Sequence, residues 1–91
     1  PLRRRTEPDQ LTIVTGPICE STDVLHRGAQ LPRLDIGDQL AVLVTGAYGM
    51  VMASNYNQRM RPPEVLVEDG AWRTIRRRET WDDLLRLELP G

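Results

Sequence analysis

The dipeptide Asp69-Gly70 constrains the fold more than any other feature, because it separates two segments that are rich in β-branched residues. A two-residue connection of this composition is typical of a type I′ turn, in which both central residues have positive φ angles. The strands on either side of such a turn pair with each other as an antiparallel hairpin. The sequence therefore predicts strands at residues 64–68 and 71–77, joined by this turn.

Further strand signals occur earlier in the chain. Residues 11–15 (LTIVT) alternate between apolar and polar side chains, and Gly16-Pro17 then ends the strand. Residues 39–45 (QLAVLVT) form the most apolar run of the chain and predict a buried strand. Residues 31–34 contain a proline, which biases the residue before it towards extended backbone.

The other segments predict turns and one helix. Residues 35–38 (DIGD) indicate a turn, and residues 24–30 leave open a short helical turn or irregular structure. Residues 50–54 leave open a strand or a turn of helix. Thr80 is a candidate N-cap with Asp83 three residues later, which predicts a short helix over residues 80–87.

Together these elements predict a mainly β fold, a small β-barrel or sandwich of five or six short strands with a short C-terminal helix. Residues 1–10 carry two prolines and three arginines and are expected to be a polar linker, with the β-domain at residues 11–91. Because the chain begins with Pro1, we expect either a part of a longer protein or the removal of an initiator Met.

Composition excludes several classes of function. The chain has 91 residues with 12 basic and 13 acidic side chains, and this balance argues against a nucleic-acid-binding module. One cysteine and one histidine are too few for a zinc site or an internal disulfide. All basic residues are arginine, so no lysine amine is available for covalent catalysis. No apolar run could span a membrane and no signal peptide is present, which predicts a cytoplasmic protein.

A cluster of reactive side chains follows the first predicted strand. The motif GPICESTD (residues 16–23) brings together Cys19, Glu20 and a second carboxylate, Asp23. A thiol with a pKa of about 8.5 is mostly protonated at neutral pH and can donate a proton. The alternative is that Cys19 is a buried small hydrophobic residue and Glu20 a surface charge. The single histidine, His26, has no group placed to orient it, so a Cys–His nucleophile is not supported.

Three later segments also carry polar groups. Tyr48 lies between Gly46 and Gly49, and its hydroxyl could bind a phosphate or carboxylate, whereas the alternative is a packing tyrosine at a turn. Residues 54–57 (SNYN) and the two arginines that follow them form either a loop of hydrogen-bond donors or a solvated loop. Residues 76–79 (RRRE) indicate a solvated, salt-bridged strand edge.

The order of these motifs resembles the C-terminal part of the diaminopimelate decarboxylases, which are fold-type III (alanine-racemase-like) pyridoxal-phosphate enzymes. The resemblance runs from about Asp9 to Leu85, and the 29-residue separation of Cys19 and Tyr48 contributes to its specificity. Thr22 occupies the motif's variable position. The matching segments are GPICESTD (16–23), DIGDQLAVLVTGAYG (35–49), SNYNQRMRPPEVLVEDG (54–70) and IRRRETWDDLL (75–85).

The resemblance implies a two-domain enzyme. An N-terminal (β/α)8 barrel would bind pyridoxal 5′-phosphate through a lysine, and the C-terminal β-domain would close the site. It implies a homodimer whose sites take residues from both subunits, with Tyr56 and its neighbouring asparagines shaping the domain or dimer contact. The implied reaction converts meso-2,6-diaminopimelate to L-lysine and CO2 in lysine biosynthesis. The 91 residues alone are expected to be inactive.

The resemblance also implies roles for individual residues. Cys19 matches the residue that donates a proton to the substrate Cα. Glu20 matches a glutamate that binds the substrate, where a carboxylate would complement its distal ammonium. Tyr48 matches a tyrosine that contacts both cofactor and substrate, with its hydroxyl towards the phosphate. Ser21 and Asp23 are expected to organise the loop, and no metal is implied.

Two alternatives stay open. The first is a related decarboxylase acting on a carrier-protein-bound amino acid, on ornithine or on carboxynorspermidine. Glu20 favours diaminopimelate, because ornithine-type enzymes usually carry aspartate after this cysteine. The second is a stand-alone β-domain that binds a partner without catalysis.

Overall fold

The computed structural model describes all 91 residues, which form two compact units, Pro1–Leu43 and Val44–Gly91. The fold is mainly β, as predicted, with four strands in two two-stranded antiparallel sheets, and neither sheet closes into a barrel. No helix is long and apolar enough to cross a membrane. The elements are β1 (Asp9–Thr15), β2 (Val24–Pro32), a 3-10 turn (Tyr56–Gln58), β3 (Glu64–Glu68), β4 (Ala71–Arg76) and α1 (Trp81–Leu85).

The first unit is built on the hairpin of β1 and β2. The ladder runs from Asp9 opposite Pro32 to Thr15 opposite Val24, with register shifts near the loop end. The expectation of a helical turn or irregular structure at residues 24–30 is therefore wrong. The backbone groups of β1 need hydrogen-bond partners, and an extended β2 supplies them along one edge from Asp9 to Thr15, with a break at Ile13.

Residues before β1 are also tied to this unit. The amide of Leu2 donates to the carbonyl of Gln39 at 2.8 Å. The side chain of Arg5 forms a salt bridge with Asp38, whose carboxylate also accepts the Asp35 amide at 2.7 Å. The predicted turn over residues 35–38 is confirmed, since Asp38 N donates to Asp35 O at 3.0 Å.

The prediction of a buried strand at residues 39–45 is wrong. These residues join no sheet, and the side chains of Leu43 and Val44 are 78% and 104% exposed. Apolar periodicity reports that a segment is suited to burial, but a strand also needs a neighbour to complete its ladder. No strand of this chain pairs with residues 39–45.

The second unit contains the predicted hairpin of β3 and β4. Asp69 and Gly70 have φ angles of 50° and 75°, so both turn positions are left-handed as the dipeptide required. Val67 lies opposite Trp72 in the register, and the two side chains are each 72% exposed. This hairpin confirms the strongest local prediction from the sequence.

Helix α1 begins with the predicted cap. The side chain of Thr80 accepts a hydrogen bond from the Asp83 amide at 3.4 Å, and the Asp83 carboxylate accepts one from the Thr80 amide at 2.8 Å. This reciprocal capping box satisfies two amides that the first turn leaves unpaired. The helix ends at Leu85, two residues before the predicted end.

Neither unit has a buried hydrophobic core. No hydrophobic side chain is fully buried, and one face of each hairpin presents apolar residues to solvent. On β1 these are Leu11 and Ile13, which are 72% and 60% exposed. On the second hairpin Val65 and Val67 lie on the same face as Trp72. Exposed apolar faces of this kind mark surfaces at which other protein surfaces or ligands bind.

We expect Gly70→Ala to destabilise the hairpin. A Cβ at a φ of 75° costs an L-residue roughly 1–2 kcal/mol in the left-handed region. The free energy of unfolding, measured by thermal or urea denaturation, should fall by about 1 kcal/mol. Gly46→Ala is the matched control, because a Cβ there meets no atom within 4 Å and the backbone is not left-handed. Equal effects of the two substitutions would contradict this account of the turn.

The α1 cap predicts an acid-dependent contribution to stability. Hydrogen bonds from the Arg77 side chain, at 2.6 and 2.8 Å, and then from the Thr80 amide hold the pKa of Asp83 far below its usual range. Because the folded pKa lies below the unfolded one, the stabilisation is full above about pH 5 and is lost progressively as the pH falls further.

Asp83→Asn should therefore lower the Tm at neutral pH. As the pH drops from about 5 to 2, the Tm of this variant should fall less than that of wild type. Asp82→Asn is the control, since Asp82 lies in the same turn but makes neither contact. A Tm profile of Asp83→Asn that stays parallel to wild type down to low pH would show that this cluster does not contribute.

Candidate functional site

Cys19 lies at the exposed tip of the loop between β1 and β2. The amide of Gly16 donates to the Asp23 carbonyl at 3.0 Å, which closes the base of the loop. The amide of Glu20 donates to the Ile18 carbonyl at 2.8 Å, and this tight turn has Cys19 at its centre. The interpretation of Cys19 as a buried hydrophobic residue is therefore wrong for this chain.

Glu20 is an exposed, ionised carboxylate with a fixed orientation. Its Oε1 accepts hydrogen bonds from the Thr22 amide at 3.1 Å, the Thr22 hydroxyl at 2.9 Å and the Ser21 hydroxyl at 3.4 Å. These contacts, the Thr22 amide first, hold the pKa of Glu20 below its ordinary value. All three use Oε1, so the other oxygen can accept a hydrogen bond from a cationic ligand.

Tyr48 projects from a helical turn in the second unit. The amide of Gly49 donates to the Thr45 carbonyl at 2.7 Å, and Met52 N donates to Tyr48 O at 3.0 Å. A Cβ at position 49 would lie 2.8 Å from the Thr45 carbonyl oxygen, so this turn requires glycine. The Tyr48 ring is 70% exposed, which contradicts its interpretation as a packing tyrosine within this chain. The turn continues to Met52, and residues 50–54 form no strand.

The polar loop after Tyr48 is held by Glu79, a residue whose role the sequence interpretation missed. Glu79 Oε2 accepts hydrogen bonds from the Arg61 amide at 2.7 Å and from Asn55 Nδ2 at 2.6 Å, and Oε1 pairs with Arg61 Nη1 at 2.9 Å. The Arg61 amide is the main cause of a lowered pKa at Glu79. Asn55 also donates to the Arg59 carbonyl at 2.9 Å. This network stabilises the loop, and no local spacing could have paired residues so far apart in the chain.

The predicted arginine-rich edge forms salt bridges. Arg76 Nε pairs with Glu64 at 2.5 Å across the hairpin, and Arg77 pairs with Asp83. A cleft of about 560 Å³ lies beside these pairs, between the polar loop and α1. Four arginines and three acidic side chains line it, and Arg61, Arg76 and Arg77 each pair with a carboxylate.

The structure places the predicted site residues in both units. Cys19 and Glu20 share one loop of the first unit, whereas Tyr48 belongs to the second. Their convergence in one active site stays a prediction. No group of three or more His, Cys, Asp or Glu side chains is placed to hold a metal ion.

Known proteins resemble this chain in both sequence and structure. It is similar to diaminopimelate decarboxylases from Archaeoglobus fulgidus, at 51% identity over 79 residues, and Bacillus subtilis, at 45% over 82 residues. These matches cover 87% and 90% of the chain but 19% of each relative, so the chain spans about a fifth of their length.

Two solved structures share its fold. A crystal structure of a diaminopimelate decarboxylase superposes with a TM-score of 0.85 at 46% identity, covering 91% of this chain and 21% of that one. The enzyme from M. jannaschi superposes with a TM-score of 0.88 at 39% identity, covering 96% and 20%. The family described as "Pyridoxal-dependent decarboxylase, C-terminal sheet domain" matches residues 1–46. Through this match, the chain belongs to the family of pyridoxal-dependent decarboxylase C-terminal sheet domains.

Proposed function

We propose that this chain acts as the C-terminal sheet domain of a diaminopimelate decarboxylase. The complete enzyme would convert meso-2,6-diaminopimelate to L-lysine and CO2 in lysine biosynthesis, in the cytoplasm. The single observation that carries the proposal is the sequence identity of 45–51% to eight relatives of that name over 86–97% of the chain. The exposed apolar faces of both hairpins support a role as one part of a larger protein.

The cofactor of the proposed enzyme is pyridoxal 5′-phosphate, which supplies the electron sink that decarboxylation needs when it is bound. This chain contains no lysine, so the amine that holds the cofactor would come from an N-terminal (β/α)8 barrel domain. Tyr48 is the residue of this chain that fits the cofactor. Its exposed hydroxyl can donate a hydrogen bond to a phosphate oxygen, and the glycine-dependent turn holds its backbone.

Cys19 is the proton donor in this proposal. Its thiol is exposed at the loop tip, and a cysteine thiol can act as a general acid. Loss of CO2 leaves the substrate Cα in need of a proton, which the Sγ of Cys19 would deliver on one face. The thiolate that remains would then be reprotonated from solvent.

Glu20 is the substrate-binding residue. Its carboxylate is ionised and oriented by Thr22, and a charged acceptor of this kind complements the distal ammonium of diaminopimelate. Tyr48 would contact the substrate as well as the cofactor. The proposed enzyme is a homodimer, in which the loop that carries Cys19 and Glu20 would complete the partner subunit's site.

We expect Cys19→Ala, made in the complete enzyme, to lower kcat at least about 100-fold, because a positioned general acid contributes 10²–10⁴-fold. Lysine formation from meso-2,6-diaminopimelate is the measurement, and cofactor absorbance should stay unchanged. Ser21→Ala is the neighbouring control and should keep most of the activity. Full activity of Cys19→Ala would contradict the donor role.

Glu20→Gln should act on binding instead. Loss of a charge-assisted hydrogen bond to the distal ammonium should raise the KM about 10- to 100-fold with a smaller change in kcat. Glu7→Gln, which removes another exposed carboxylate of the first unit, should leave both constants unchanged.

Ornithine, carboxynorspermidine and a carrier-protein-bound amino acid should be poorer substrates than diaminopimelate. If the enzyme turns over one of these compounds preferentially, that compound replaces diaminopimelate as the proposed substrate. If the enzyme turns over no amino acid, a non-catalytic domain is favoured.

A further inference from the structure

A second carboxylate of the Cys19 loop faces inward and closes the loop. Asp23 Oδ2 accepts a hydrogen bond from the Ile18 amide at 2.8 Å, while the Asp23 carbonyl accepts one from the Gly16 amide at 3.0 Å. Asp23 is half-buried, whereas Cys19 and Glu20 are exposed. Asp23 therefore joins both ends of the loop through its main chain and its side chain.

Gly16 provides the space that this carboxylate occupies. A Cβ at position 16 would overlap the carboxylate carbon and both carboxylate oxygens of Asp23. The backbone of Gly16 is not left-handed, so the requirement for glycine is steric and not conformational. Any larger residue would force the carboxylate away from the Ile18 amide.

Asp23 is linked to Cys19 through a single intervening residue, Ile18. Ile18, whose amide Asp23 holds, is the residue directly before Cys19, and the Ile18 carbonyl accepts the amide of Glu20 directly after it. Both neighbours of Cys19 are thus fixed by hydrogen bonds, and the Asp23 side chain accepts one of these bonds. Thr22 and Ser21 act differently, because their side chains contact only Glu20.

We propose that Asp23, seated against Gly16, is the positioning residue that holds the backbone of the Cys19 loop so that the thiol can reach the substrate Cα. This inference rests on the proposed function, since it assigns Asp23 a role only through Cys19. In this role Asp23 acts through the loop backbone and would not itself touch substrate or cofactor. Its loss misplaces the proton donor, and a displacement of about 1 Å can cost about 100-fold in rate.

A double-mutant cycle in the complete enzyme tests this role. Asp23→Ala should lower kcat about 10- to 100-fold with little change in the KM for diaminopimelate. In a Cys19→Ala background the same substitution should lower kcat less than about threefold, because the group that Asp23 positions is already gone. Equal losses in both backgrounds would overturn the proposal. If Cys19→Ala alone leaves kcat unchanged, the donor role of Cys19 in the proposed function fails, and that outcome is distinct.

Two further variants, Asp23→Asn and Gly16→Ala, test the same role if Asp23→Ala folds poorly. Asp23→Asn retains an oxygen that can accept the Ile18 amide, so it should restore kcat to within about threefold of wild type. Gly16→Ala should reproduce the loss by displacing the carboxylate. A low kcat for Asp23→Asn together with an unaffected Gly16→Ala would contradict the proposal.

The alkylation rate of Cys19 in the cofactor-free enzyme tests the same role without measuring catalysis. Iodoacetamide alkylation of Cys19, followed by the mass of its peptide, should be faster in Asp23→Ala than in wild type because the loop is released. Thr22→Ala is the matched control, since it removes a hydroxyl contact to Glu20 but none to Asp23, and it should leave the alkylation rate unchanged. Identical rates in wild type and Asp23→Ala would overturn the positioning role.

Discussion

Both units are held together by hydrogen bonds between strands that are consecutive in the sequence. β1 pairs with β2 and β3 with β4, while no hydrophobic side chain is fully buried in either unit. Burial of apolar area is the main driving force for folding in most proteins, so hairpins of this kind are marginal by themselves. The left-handed turn at Asp69-Gly70 and the capping hydrogen bonds at Thr80 add further local order. In the proposed enzyme, the exposed apolar faces would be covered by the rest of the protein.

The proposed chemistry follows from how the loops are built on these hairpins. The loop at residues 16–23 uses its two carboxylates differently, because Asp23 turns inward to the backbone and Glu20 stays outside. Cys19 is presented between two residues whose backbones are hydrogen-bonded. Loops on a rigid scaffold are where proteins place reactive groups, and this loop has a charged acceptor beside a proton donor.

Features with a strict stereochemical requirement were predictable from the sequence. Asp69-Gly70 and Thr80 with Asp83 are examples, since each local pattern has one favourable geometry. Residues 24–30 were missed because pairing with β1 overrides weak local signals. Residues 39–45 were missed because an apolar run does not reveal whether a partner strand exists. At the candidate site, the chemistry of Cys19 and Glu20 was visible, but the Arg61–Glu79 pair joins residues 18 positions apart and was not.

The proposed function depends most on where the Cys19 thiol lies in the complete enzyme. The most direct measurement is a crystal structure of that enzyme with cofactor and lysine bound, in which the distance from Cys19 Sγ to the lysine Cα is read. We predict a distance of about 3–4 Å, within reach of proton transfer, in a site that also contains Tyr48. A thiol that is open to solvent and separated from the lysine Cα by other side chains would contradict the role of Cys19 as proton donor.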